Sequence, residues 1–208
     1  MAKSILVAYA TNAGSTAEVA QTVAEELAKN GAAVDVHSLQ ELTGIDGYDA
    51  AVVGAPMIMG WHRAAQKFIR QRRQELSRVP VAFFFMAVSL THQGETEVSG
   101  VPVWVDTRRA KSPKEPGRFG FRERYSLVSN YLGPVLRAAP EVNPVSAAFF
   151  GGKLDLGRLK LLQMLFVLLI IQAQPGDYRN WDYIRQWADH LHSALGLKET
   201  QSLVPPKE

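Results

Sequence analysis

The chain alternates short apolar runs with amphipathic segments, and this alternation limits its fold more than any single motif. Ser4 to Ala10 and Val81 to Val88 are apolar without polar alternation, as strands covered on both faces must be. Val34 to Ser38, Ala50 to Gly54 and Val145 to Phe150 read as three further strands. Between them, Thr16 to Asn30 places Val19, Ala20, Val23, Leu27 and Ala28 at helical spacing, and Gly31 ends that helix. Ala64 to Leu76 reads as a basic amphipathic helix and Trp181 to Leu195 as a closing one. Glu123 to Ala138 reads as a helix interrupted or kinked at Gly133-Pro134. Strands alternating with helices give an α/β fold: a five-stranded parallel sheet with helices on both faces. Ligands of such sheets bind at the carboxyl ends of the strands, where the strand order reverses. The reading is one domain over 1–197, with insertions at about 91–122 and 151–180, and a polar tail at 198–208.

Composition narrows the chemistry. The 208 residues include no cysteine. Disulfides, thiol catalysis, thiolate zinc sites and cysteine-ligated iron–sulfur clusters are therefore excluded, and redox chemistry needs a bound cofactor. Hydrophobic residues make up 47%, the proportion of a globular chain. The net charge of +3 and sequence pI near 9.2 favour anionic partners. Met1-Ala2-Lys3 runs straight into the first strand, so no targeting signal is expected and a cytoplasmic location is.

The first strand feeds directly into Thr11-Asn12-Ala13-Gly14-Ser15-Thr16, which opens the first helix. A phosphate placed there meets free backbone N–H groups and the positive end of the helix dipole. Thr11, Ser15 and Thr16 add hydroxyls, and Gly14 lets the backbone approach. The loop lacks the lysine of a P-loop and the three glycines of a dinucleotide site, so it implies a mononucleotide phosphate. The bland alternative is a capped turn, with Ser15 or Thr16 as the cap. Two more loops leave the same edge: Pro56-Met57-Ile58-Met59-Gly60-Trp61 after the third strand, and Ser89-Leu90-Thr91 after the fourth. Trp61, Met57 and Met59 offer a wall for a planar ring. The alternative for Trp61 is a side chain packed on the next helix.

These loops make the chain resemble the flavodoxin superfamily, which implies the flavodoxin-like fold and FMN as cofactor. Thr11, Gly14, Ser15 and Thr16 match the family's phosphate loop, while Ala13 stands where a hydroxyl is common. Within the superfamily the chain is most similar to the menaquinone-dependent protoporphyrinogen oxidases. That similarity rests on Val53-Gly54-Ala55, Gly60-Trp61-His62, Phe68, Phe149 to Leu154 and Asn180-Trp181-Asp182. Met59 replaces the aromatic residue usual before Gly60, and the 91–122 stretch is longer than that family's loop. The resemblance implies an FMN oxidoreductase that oxidises a porphyrinogen-like substrate and passes electrons to a quinone at the membrane. A flavodoxin-type electron carrier and a nicotinamide-dependent quinone reductase are the alternatives.

The insertions bear on that choice. Leu161 to Ile171 has Gln163 as its only polar residue and follows Lys153, Arg158 and Lys160. It is too short to span a bilayer. Peripheral membrane contact through 158–171, a homodimer interface, and burial in the core are the three readings. Thr107 to Arg124 carries Arg108, Arg109, Lys111, Lys114, Arg118, Arg122 and Arg124, a solvated loop or one that meets substrate carboxylates. No base-reading motif accompanies it, so no nucleic-acid partner is expected. His62 is read as a structural residue or a proton relay. There is no triad, no paired-carboxylate site and no metal cluster, so no residue is assigned to catalysis and no metal is expected.

Overall fold

A computed structural model describes residues 3–29, 31–58, 60–108, 110–115, 118–154, 157, 161–165, 169 and 174–197. The elements run β1 (Ser4–Tyr9), α1 (Ser15–Ala28), β2 (Ala33–Ser38), β3 (Ala50–Pro56), α2 (Arg63–Gln71), α3 (Arg73–Leu76), β4 (Val81–Ala87), β5 (Leu90–Thr91) and β6 (Glu97–Val98). They continue with β7 (Val101–Val105), β8 (Ala110–Lys111), α4 (Phe121–Tyr125), α5 (Val128–Ala138), β9 (Pro144–Gly151), β10 (Lys153–Leu154), α6 (Leu161–Leu165), β11 (Gly176–Asp177) and α7 (Trp181–Ala194). The tail at 198–208, Met59 and Arg109 lie outside the described residues.

The main sheet has the order β2-β1-β3-β4-β9-β7-β6. Its first five members pair in parallel, and the strand order reverses at β1 and β3. The core strands are buried on both faces because helices cover both. Val19, Val23 and Leu27 of α1 and Ile184, Trp187 and Leu191 of α7 fill one face. Phe68 and Ile69 of α2 and Val128, Leu132 and Val135 of α5 fill the other.

The sheet has seven strands where five are expected. Val101, Val103 and Val105 are all buried, and Val103 to Val105 pair in parallel with Ala147 to Phe149. The first insertion therefore extends the sheet beyond β9, and β6 closes that edge antiparallel to β7. The expected helix from 123 to 138 also differs. It breaks at Ser126-Leu127, and α5 runs through Gly133-Pro134. Thr91 draws the chain out of helix at that point: its N–H donates to the Ser126 carbonyl at 2.8 Å, and its hydroxyl pairs with the Ser126 hydroxyl at 2.8 Å. A long-range strand contact thus outweighs local helix propensity.

The second insertion leaves and returns at one place. β10 pairs antiparallel with β11, and the Tyr178 N–H donates to the Gly152 carbonyl at 3.1 Å. The Gly152 N–H in turn donates to the Ala87 carbonyl at 3.0 Å, tying the insertion's base to the end of β4.

Candidate functional site

The loop from Thr11 to Thr16 sits at the carboxyl edge of β1, beside the ends of β3, β4 and β9. Gly14 caps α1 with φ +90°, a conformation open to glycine and strained for other residues. That turn is held by the Gly14 N–H donating to Thr11 Oγ1 at 2.9 Å. The Gly14 carbonyl accepts from Ala17 and Glu18, which starts the helix and leaves the Ser15 and Thr16 amides without intrahelical acceptors. Thr16 is the informative member. Its hydroxyl is buried, 1% of the residue is exposed, and Oγ1 has no hydrogen-bond partner. A buried hydroxyl without a partner costs free energy unless a ligand supplies one. The loop thus combines an orphan hydroxyl, free helix-end amides and a glycine turn, a donor set that fits a phosphate.

The cleft over this loop is bordered by Pro56, Ile58, Met86, Val88 and Lys153. Its free volume is about 30 Å³, room for roughly two water-sized groups. Lys153 is exposed on β10 and is the cation nearest this cleft among its lining residues.

The segment from 56 to 61 divides its side chains between two places. Pro56 and Ile58 face the cleft, whereas Met57 and Trp61 face the α2–α5 side of the sheet. Trp61 is 3% exposed, 5.1 Å from Phe85 and edge-on to Phe83 at 5.5 Å between ring centroids. The structure therefore places Trp61 in the core, not beside the phosphate loop. Leu90 and Thr91 are likewise buried, in β5 against β8, while Ser89 accepts at its carbonyl from the Tyr131 hydroxyl at 3.0 Å. Burial pushes the Tyr131 hydroxyl well above the ordinary tyrosine range. His62 caps α2, its Nδ1 accepting from the Ala64 N–H at 3.2 Å.

Behind both loops lies a larger chamber of about 320 Å³ between α2, α4 and α5. The sequence does not show it, because its walls come from three helices that meet only in the fold.

Arg179 is another residue that the sequence does not single out. Its side chain is 4% exposed and reaches Glu18 Oε2 of α1 and Asp177 Oδ1, each at 2.8 Å, with the Ser15 carbonyl at 3.4 Å. The guanidinium also lies 4.5 Å from the centre of the Trp181 ring. It clamps the base of the second insertion to the helix that carries the phosphate loop. The hydrogen bonds from Arg179 hold the Asp177 carboxyl below the usual carboxylate range, against the opposing effect of burial. A carboxylate with a lowered folded-state pKa stabilises the clamp above its unfolded pKa, and that stabilisation is lost as pH falls through the folded value. The protection of the β10 and β11 amides, relative to their intrinsic exchange rates, should therefore fall on acidification below the ordinary aspartate range. In Arg179→Gln that acid step should vanish. The effect is expected to stay below about 1 kcal/mol, since both carboxylates are partly exposed. An unchanged acid step in the variant would remove Arg179 as its cause.

The basic stretch from 107 to 124 is tied down at several points. Arg108 donates to Asn180 Oδ1 at 3.3 Å, and Asn180 caps α7 and donates to the buried Asp106 at 3.2 Å. The Glu123 carboxylate accepts from the backbone of Lys114 and Gly120, and these bonds lower its pKa. Among the described residues, no group of three or more His, Cys, Asp or Glu side chains is arranged to hold a metal ion.

Residues 6–179 match the Flavodoxin domain family. The protoporphyrinogen IX dehydrogenase [quinone] of Escherichia coli K12 is 34% identical over 83 residues, 38% of this chain and 45% of that protein. The chain thus spans less than half the length of the curated relatives it matches. Among solved structures, the rubredoxin oxygen:oxidoreductase of Desulfovibrio gigas is 14% identical with a TM-score of 0.46, covering 95% of this chain and 37% of that one. Flavodoxin 1 of Bacillus cereus is 10% identical with a TM-score of 0.46, covering 96% and 100%.

Proposed function

The chain belongs to the flavodoxin domain family, and from that premise we propose that it is an FMN-dependent oxidoreductase that oxidises a protoporphyrinogen-like substrate and delivers electrons to a quinone at a membrane surface. The observation that carries the cofactor assignment is the buried, unpartnered Thr16 hydroxyl in the loop that opens α1. Thr11, Asn12, Ala13, Gly14, Ser15 and Thr16 hold the phosphate through backbone N–H groups and hydroxyls. Pro56, Ile58, Val88 and Ser89 border the ring over the cleft mouth. Met57, Gly60, Trp61, Leu90 and Thr91 support that border from behind. FMN supplies the electron chemistry. The protein's part is to hold the phosphate, orient the ring and exclude water from one of its faces.

The 34% identity to a protoporphyrinogen dehydrogenase favours the substrate and acceptor. The exposed leucines of the second insertion favour the membrane surface. Leu161, Leu162, Leu165 and Leu169 are between 41% and 74% exposed, so these side chains are not core. Arg158 and Lys160 adjoin them in sequence, an arrangement suited to anionic lipid. No helix among the described residues is long and apolar enough to cross a membrane, so the contact proposed is peripheral.

The test is anaerobic oxidation of protoporphyrinogen IX by the FMN-loaded chain, with and without a menaquinone analogue, on vesicles containing phosphatidylglycerol. Quinone-dependent product is expected. Replacing Leu161, Leu162 and Leu165 together by serine should weaken vesicle binding by at least about tenfold. A flavin that cycles normally without porphyrin product would instead mark an electron carrier or a reductase with another substrate. Unchanged vesicle binding, or loss of a dimer in the serine variant, would assign the leucines to something other than lipid.

A further inference from the structure

The chamber between α2, α4 and α5 has no role in holding a phosphate, yet it has the features of a ligand site. Its volume of about 320 Å³ is within the range of small-molecule pockets. Met57, Tyr125, Tyr131 and Val135 make its walls largely apolar and aromatic. Trp61 is part of the wall, and its indole N–H is buried without a hydrogen-bond partner. An indole N–H can only donate, so what it lacks is an acceptor. Phe121, 74% exposed, and Arg124 edge the opening.

We infer that this chamber binds the head group of a quinone: a flat, fused two-ring molecule whose carbonyl oxygen accepts from the Trp61 indole N–H. Flat apolar walls suit the rings, and the Trp61 N–H, a neutral donor in the buried wall with Arg124 out at the rim, suits a neutral carbonyl better than a carboxylate. Exposed Phe121 gives an apolar substituent a path out. The chamber also abuts both ring-bordering loops: Met57 and Trp61 come from one, and the Tyr131 hydroxyl holds the Ser89 carbonyl of the other. The chamber itself is read from geometry; the choice of a quinone as occupant rests on the proposed acceptor.

Equilibrium binding of menadione to the full chain, with and without FMN and without reductant, tests this apart from turnover. Saturable binding in both forms is expected. Trp61→Phe removes the N–H and keeps an aromatic ring, and should weaken menadione binding about fivefold to tenfold. Val135→Phe fills the chamber from its floor and should weaken it by more than about tenfold. Val135→Phe should keep wild-type FMN affinity, and both variants a native circular dichroism spectrum. If Val135→Phe fails to fold, Trp61→Phe still decides. No binding, equal affinity in Trp61→Phe, displacement by FMN, or competition by a free porphyrin would each overturn the site. Quinone-dependent turnover with menadione affinity unaffected by either variant would overturn it while leaving the proposed function intact.

Discussion

Replacing Gly54 with alanine is expected to destabilise the fold by roughly 3 kcal/mol or more, a large share of the roughly 5–15 kcal/mol that holds a typical domain together. Gly54 lies in the middle of the sheet, on β3, opposite Phe84 of β4. A Cβ built there would meet the Phe84 ring at 1.8 Å, inside any permissible contact. The ring has nowhere to retreat. It is fully buried and packs 6.1 Å from Trp187 and 6.2 Å from Phe150 between centroids. Trp187 is itself pinned, its indole N–H donating to the buried Ser146 hydroxyl at 3.0 Å. The strain would also reach the site, because the Gly54 carbonyl accepts from Ala10, the residue that leads into Thr11, at 2.9 Å. Urea denaturation of Gly54→Ala should show a lower midpoint at unchanged slope, and heating a Tm lower by roughly 10 °C. Phe84→Leu in that background should cost less than it does alone, since it removes the clash. Strict additivity of the two changes would show that the ring is not what Gly54 makes room for.

Much of this architecture is legible in the sequence because the physics behind it is local. A strand covered on both faces must be apolar throughout, and Ile5 to Ala8 and Val81 to Ala87 are. The phosphate loop is legible for the same reason: a strand, a glycine and hydroxyl turn, then a helix are adjacent in the chain. What is hidden depends on contacts far apart in sequence. The break at Ser126-Leu127 is set by Thr91, thirty-five residues away. The strand at Val101–Val105 does carry a signal, alternate valines at 101, 103 and 105, but Pro102 and the arginine-rich surroundings obscure it. Loop side chains are harder still. Nothing local says that Pro56 and Ile58 face the cleft while Met57 and Trp61 face the core, since a loop has no fixed period. The same limit conceals Arg179, whose partners Glu18 and Asp177 come together only when the second insertion closes on α1.

Thr16→Val should separate binding from folding more sharply than any other change in the loop. Valine keeps the branched shape of threonine and removes only the hydroxyl. In the cofactor-free protein that hydroxyl is a buried group without a partner, a liability of about 1–3 kcal/mol. The variant without cofactor should therefore be as stable as the wild type, or more so. With FMN the sign reverses. A hydrogen bond from a buried hydroxyl to a charged phosphate contributes about 1.5–3 kcal/mol, so FMN affinity should fall by roughly tenfold to a hundredfold. The same variant thus gains or holds stability without ligand and loses it with ligand, which ordinary core damage cannot imitate. Flavin fluorescence titration measures the affinity, and thermal melts with and without FMN measure the two stabilities. A variant that is destabilised without cofactor and still binds FMN at full strength would make Thr16 a structural residue. The phosphate would then depend on the backbone amides of the helix end, on Thr11 and Ser15, and on Lys153 at the rim of the cleft.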